Sequence, residues 1–196
     1  YCQLFFSIIQ TMKPQIKSLL TNLEKTANLF WNIPPETGLF LNQLIRDAKP
    51  ENILEIGTSN GYSAIWIAEA LAQNKKGHLY TIESNQKLRF PAAQKNIAAS
   101  GLSQNITQIL GHAPGAIPKT PLKFDMIFID ATKYEHIDYL KAILPRTHKG
   151  SIIVTDNAIS HKKDLKPFFK KVHKLKNFET ILLNIGSGLL VNTRIS

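Results

Sequence analysis

Two short stretches carry the side chains best suited to chemistry. "FIDATK" holds Asp130 and Lys133, and "VTDN" follows about two dozen residues later with Asp156 and Asn157. Each aspartate closes a short apolar run that reads as a strand, so neighbouring strand ends can bring the two carboxylates together. Asn157 adds a carbonyl oxygen next door. Two carboxylates and an amide, with waters completing the shell, make an oxygen-rich octahedral site suited to Mg²⁺. No His or Cys cluster competes for it, which argues against zinc. Lys133 stands three residues beyond Asp130 at the start of a helix and is expected to face the same cavity. It is the candidate general base, taking a proton from a hydroxyl that the cation has acidified.

A second constellation precedes it. "LEIGTSNGYS" sets Gly57 and Gly61 around Thr58, Ser59 and Asn60, with Glu55 before the turn and Ser63 after it. Glycines allow positive φ and close approach of backbone to a ligand. The following helix N-terminus offers N–H groups to an anion. The spacing is Glu-x-Gly-x-x-x-Gly, not the Gly-x-Gly-x-x-Gly of dinucleotide oxidoreductases. With one glycine fewer in the bend, NAD is disfavoured, whereas the carboxylate of an amino-acid-bearing nucleoside tolerates the looser turn. Glu83 ends the next strand, where a carboxylate can accept hydrogen bonds from both hydroxyls of a ribose.

The elements that must position these residues follow from periodicity. Ile16, Leu19, Leu20, Leu23, Ala27 and Phe30 mark one helix face over residues 14–30. "WNIPPETG" breaks it, and "LFLNQLIRDAK" is helical again up to Pro50. Then strands "NILEI", "GHLYTIE", "NITQILG", "FDMIFID" and "GSIIVTDN" alternate with helices over "YSAIWIAEALAQ", "NQKLRFPAAQKNIAASG", "YEHIDYLKAIL" and "KKDLKPFFKKVHKL". "FETILLNIGSGLLVNTR" reads as two strands joined by a Gly-Ser-Gly turn. Continuously apolar strands alternating with amphipathic helices predict an α/β domain: a seven-stranded, mostly parallel sheet with helices on both faces and a closing antiparallel hairpin. Ligands bind beyond the carboxyl ends of such strands, where Glu55, Glu83, Asp130 and Asp156 all lie.

"LEIGTSNGYSAIWIA" resembles the first motif of the S-adenosylmethionine-dependent class I methyltransferases, which have a Rossmann-like fold. More narrowly, with Asp-x-x-Lys and the later Asp-Asn, the chain resembles the cation-dependent O-methyltransferases, the group of the catechol and caffeoyl-CoA enzymes and their bacterial relatives. The resemblance covers roughly residues 34–194. It implies that the turn from Glu55 through Gly57, Thr58, Ser59, Gly61 and Tyr62 to Ser63 holds the methionine moiety. Glu83 and Ser84 would hold the ribose, and "LGHA", with His112 and Ala113, would border the adenine. Asp130, Asp156 and Asn157 would bind the cation, with Asp130 also on the cofactor side. Lys133 would deprotonate a hydroxyl that attacks the sulfonium methyl in line. The family's pattern also implies an N-terminal helical segment, residues 1–33, that caps or dimerises the catalytic domain, residues 34–196, as a homodimer. Three positions depart from it. Thr132 stands where many relatives have a third aspartate, which implies weaker metal affinity. His112 replaces a small acidic or polar residue. The short stretch after Asn157 lacks the longer insertion of plant-type relatives, which implies an open site.

The length of 196 residues suits one full-sized domain. Cys2, the sole cysteine, excludes an internal disulfide framework and fits a reducing cytoplasm. The apolar opening "YCQLFFSIIQ" is about half of the ~20 residues a membrane span needs, and Met12 reads as a candidate natural start. A formal charge of +10 favours anionic partners. It keeps open an alternative to a small hydroxylated, catechol-like acceptor: methylation of a hydroxylated uridine in tRNA. Lys162, Lys163, Lys166, Lys170, Lys171, Lys174 and Lys176 crowd the last helix, and a solvated face explains them as readily as a phosphate surface does. His161 reads as an exposed loop histidine, and His136, three residues after Lys133 on the same helix, as a bystander more readily than as a residue of the rim. A cofactor-binding module without catalysis is the reading from another class.

Overall fold

The computed structural model describes residues 8–118 and 122–196. Strands β1 (Asn52–Ile56), β2 (His78–Glu83), β3 (Ile106–Leu110), β4 (Met126–Ile129), β5 (Ile152–Thr155), β6 (Phe178–Leu183) and β7 (Leu189–Arg194) form one sheet in the order β3-β2-β1-β4-β5-β7-β6. Only β7 runs antiparallel to its neighbours, as the hairpin signal predicts. β4 and β5 are apolar but for Thr155, and β1 but for Asn52 and Glu55, because both of their faces are covered. The strand order reverses between β1 and β4, so a crevice opens there beyond the carboxyl ends.

Helices α1 (Pro14–Glu24), α2 (Ala27–Phe30), α3 (Pro35–Ala48), α4 (Tyr62–Asn74) and α5 (Arg89–Ser100) precede β4. Helices α6 (His136–Ile143) and α7 (Lys166–Val172) follow it. One core cluster joins residues of α1, α3, α4 and α5 to Ile53, Phe128 and Val154; the other joins those of α6 and α7 to Leu54, Ile127 and Ile153. These strand residues alternate because successive side chains leave opposite faces of the sheet. Every residue of α4 from Tyr62 to Leu71 is buried, which explains why its sequence is apolar all round. The exception, Glu69, is paired with Arg46 at 3.1 Å and accepts from Asn42 at 2.7 Å, so its charge is not left bare.

Four local expectations are corrected. The helix read over residues 14–30 is two helices. Thr26 turns its hydroxyl and its N–H onto the Leu23 carbonyl, which also receives Asn32 Nδ2, and α1 stops there. α3 starts at Pro35, earlier than the glycine suggested, because proline needs no N–H partner in a first turn. α7 has seven residues, with turns occupying residues 158–165 before it. The β6–β7 connection runs from Asn184 to Gly188, longer than the Gly-Ser-Gly turn alone. Of the apolar opening, Ile8 is buried with Met12 in the first core cluster; Cys2 and the remainder of residues 1–7 lie outside the described residues. Among those described, no helix is long and apolar enough to cross a membrane.

Two buried contacts have measurable consequences. Gly38 lies inside α3 against the Trp66 indole, where a Cβ would come within 2.6 Å of ring atoms. Alanine is the better helix former by about 1 kcal/mol, but overpacking costs about 1–3 kcal/mol. Gly38→Ala is therefore expected to lower Tm by several degrees; a rise in Tm would show that the indole yields. Glu55 is fully buried and accepts from Thr81 Oγ1, which also meets Thr58 Oγ1. Burial pushes its carboxyl up to about 7, helped by the charges of Asp130 and Glu83 and opposed by hydrogen bonds from Ser63 and Thr81. The folded state thus holds a proton that the unfolded chain releases near pH 4.3, so stability falls as pH rises from there through about 7. Glu55→Gln, which cannot ionise, is expected to gain stability over the parent between pH 4 and 8, by on the order of 3 kcal/mol at the upper end. A Tm difference that does not change with pH would contradict it.

Candidate active site

The glycine turn stands at the carboxyl end of β1. Gly57 (φ 104°) and Gly61 (φ 88°) take left-handed conformations, and Ser59 between them has φ 49°. A Cβ on Gly57 would overlap the carbonyl of Asp130, so only glycine lets β1 and β4 meet there. The Gly57 and Thr58 N–H groups donate to the Ile82 carbonyl, which ties the turn to β2. Glu83 accepts from Ser59 N at 2.8 Å and from Asn85 N at 2.7 Å, one bond per oxygen, leaving each oxygen further acceptor capacity. Gly57, Thr58, Ser59, Ser63, Glu83, Ser84, His112, Ala113, Asp130 and Lys133 all line one cavity of about 720 Å³.

Three residues of the turn serve it differently from expectation. Gly61 is not on the cavity wall and lies against Ala93 and Ile97 of α5. Glu55 does not reach the cavity wall. It lies beneath the turn and supports it through Thr81. Tyr62 borders the cavity, but its hydroxyl donates to Glu24 of α1 at 2.8 Å, and burial raises its pKa. Its phenol joins α1 to the body of the domain.

Asp130 and Asp156 leave adjacent strands in register, since Ile129 pairs with Thr155 and Asp156 N donates to the Ile129 carbonyl at 3.0 Å. Lys133 Nζ donates to Asp130 Oδ1 at 2.9 Å, with both side chains 18% exposed. The ammonium therefore faces the cleft. Asp156 is 1% exposed, and its Oδ1 has no hydrogen-bond partner. Burial pushes its carboxyl up to about 7, and the Asp130 charge adds to this; the Asn157 N–H and Lys133 act the other way. Asn157 sits at φ 61°, a left-handed position that asparagine tolerates better than most residues. Its amide nitrogen is 3.4 Å from Ser160 Oγ, so the amide carbonyl is the donor left over. An orphaned carboxylate oxygen beside a second carboxylate and an amide fits a hard divalent cation. Among the described residues no group of three or more His, Cys, Asp or Glu gathers as a metal cluster. A cation here would depend on the amide and on water as well as on the aspartates.

The loop that carries Lys133 is fastened from behind. His136 is fully buried, not at the rim. Its Nδ1 lies 3.0 Å from the Thr132 carbonyl, and its ring packs edge-on to Phe168. Burial lowers its pKa to about 4, with the Lys133 charge assisting against the pull of the Thr132 carbonyl, so the ring is neutral at pH 7. The Tyr139 hydroxyl donates to Glu135, which His112 Nε2 also meets at 3.2 Å, linking the two sides of the cavity. His161 is exposed and borders the cavity. Sequence reasoning missed the roof: Phe30, Trp31 and Ile33 from the α2–α3 link, Arg89 from α5, and Ser187 from the hairpin. A tryptophan in a proline-rich break between helices was the available signal for the first of these.

Comparison with known proteins agrees with this geometry. A family model described as a methyltransferase domain matches residues 54–158. The chain is 39% identical over 138 residues to a catechol O-methyltransferase of Niastella koreensis, covering 68% of this chain and 61% of that protein. It thus spans about three-fifths of that relative's length. It is 29% identical over 185 residues to caffeoyl-CoA O-methyltransferase 2 of Populus trichocarpa, covering 88% and 72%. An O-methyltransferase from Bacillus cereus, solved in complex with SAH, superposes with a TM-score of 0.78 at 26% identity over 93% of this chain and 91% of that one. The chain belongs to the methyltransferase-domain family, and the proteins it resembles include catechol and caffeoyl-CoA O-methyltransferases.

Proposed function

We propose that the protein transfers a methyl group from S-adenosylmethionine to a hydroxyl of a small, catechol-like acceptor, with a divalent cation such as Mg²⁺ held by Asp130, Asp156 and Asn157. The observation that carries this reading is Asp156: a buried carboxylate with an unsatisfied oxygen, set beside a second carboxylate and within the same cavity as Lys133. Buried unpaired oxygens of this kind are costly unless something binds them. When bound, the cation supplies positive charge that acidifies a chelated hydroxyl. S-adenosylmethionine supplies the sulfonium methyl. The likeness to a relative solved with SAH and to catechol O-methyltransferases supports both the donor and the acceptor class.

The chain's own residues do the rest. The Gly57–Gly61 turn brings backbone within reach of the methionine end, and Glu83 retains acceptor capacity for the ribose hydroxyls. Lys133 Nζ, in its neutral form, accepts the hydroxyl proton. The freed oxygen forms the bond to the methyl carbon as the carbon–sulfur bond breaks and its electron pair stays on sulfur. Asp130 orients the lysine at 2.9 Å, and His136 and Thr132 fix the loop that carries it. Most of the rate gain would come from positioning and charge. The tRNA reading has less support: on α7 the exposed Lys166, Lys170 and Lys171 stand beside Phe168, which is buried and offers no face for a base to stack on.

Methyl transfer to a panel of catechols, followed by mass spectrometry, tests the proposal. EDTA is expected to abolish turnover and added Mg²⁺ to restore it; turnover that ignores the chelator removes the cation from the reading. Lys133→Ala is expected to lower kcat by about 10²–10⁴ while SAH still binds by calorimetry. Full activity in that variant would assign the base elsewhere.

A further inference from the structure

The link from α2 to α3 crosses the nucleoside side of the cavity, and a closed circuit of contacts holds it there. The Phe30 carbonyl accepts from Ser59 Oγ at 2.5 Å. Ser59 N donates to Glu83 Oε2, and Asn85 N donates to Glu83 Oε1. Asn85 Oδ1 accepts from Leu88 N at 2.9 Å and Arg89 N at 3.4 Å. The Arg89 guanidinium then stacks over the Trp31 ring, 4.3 Å from its centroid, and Trp31 follows Phe30 in the chain. Phe30, Trp31, Ser59, Glu83 and Arg89 all line the same cavity.

Trp31 is the unusual member. It caps α2 with φ 57°, a position where glycine or asparagine is the common choice, and the residue is 72% exposed. A bulky aromatic held in that conformation without burial calls for another reason. The guanidinium over its face supplies one. A cation–π contact at the surface is weak enough to open and close on the time scale of ligand exchange.

We propose that Trp31 and Arg89 form a clasp that holds the α2–α3 link closed over the ribose side of the cofactor, and that opening of this stacked pair gates entry of S-adenosylmethionine and release of S-adenosylhomocysteine. The proposal rests on the reading of this cavity as the nucleoside site. None of the contacts in this circuit involves Asp130, Lys133, Asp156 or Asn157. Trp31 and Arg89 are thus positioning residues that set residence time and not the chemical step.

Stopped-flow fluorescence with S-adenosylhomocysteine, without metal or acceptor, tests this. The chain has two tryptophans, and Trp66 is buried, so an exposed Trp31 that changes surroundings on binding reports directly. Arg89→Ala is expected to speed dissociation roughly three- to tenfold and to raise the KM for S-adenosylmethionine with kcat not reduced. Arg89→Lys, which keeps a cation, restores part of the loss. Trp31→Leu, which keeps apolar bulk without the π face, matches Arg89→Ala when dissociation is followed by filter binding of labelled ligand. Wild-type dissociation rates in Arg89→Ala, or an effect confined to the Trp31 variant, overturn the clasp. If the unmodified protein fails to bind S-adenosylhomocysteine by calorimetry, the nucleoside reading itself falls and the clasp with it. Binding that is normal and indifferent to both substitutions sinks the clasp alone.

Discussion

The backbone of Gly57 lies against the carbonyl of Asp130 with no room for a side chain between them. The rest of the cavity depends on this approach. It joins the end of β1, which leads into the ligand-facing turn, to the end of β4, which leads into the loop with Lys133. Because the strand order reverses there, the two loops diverge to opposite sides and leave a crevice. A methyl group on Gly57 would push apart the turn after β1 and the loop after β4.

Four carboxylates gather around that contact in a protein of net charge +10, and their surroundings give them separate roles. Glu55 is sealed beneath the turn and accepts from the Thr81 hydroxyl, which in turn meets Thr58. Glu83 is anchored by two backbone N–H groups. Asp130 is paired with Lys133 at the cleft surface. Asp156 is buried with an oxygen left unsatisfied. Burial raises both Glu55 and Asp156 to about 7, yet only Asp156 opens onto the cavity. The same desolvation thus acts on a carboxyl sealed beneath the turn and on one that opens onto the cavity.

Much of this was legible in the chain. The "NILEI" strand, the glycine turn, the Asp-x-x-Lys spacing and the Asp-Asn pair fall where the sequence reading put them, because each depends on local chemistry: strand period, φ preference, or the residue that closes an apolar run. The roof was not legible. Trp31 and Arg89 are 58 residues apart in sequence, and nothing local to either predicts that they stack. The spacing of His136 from Lys133 fits one helix turn and left a rim position as the less favoured reading; Phe168 from a later helix covers it.

By itself the sequence determined the order of strands and helices, the oxygen-rich character of the candidate metal site and the absence of the dinucleotide glycine pattern. These are properties of residue type and short-range spacing. Only the tertiary structure decided which carboxylate faces the cavity and which faces the core, how Tyr62 serves α1 as well as the cavity, and that Trp31 meets Arg89 at its edge. Those outcomes turn on burial and on contacts between segments distant in the chain, and desolvation is a property of the packed assembly, not of any one stretch.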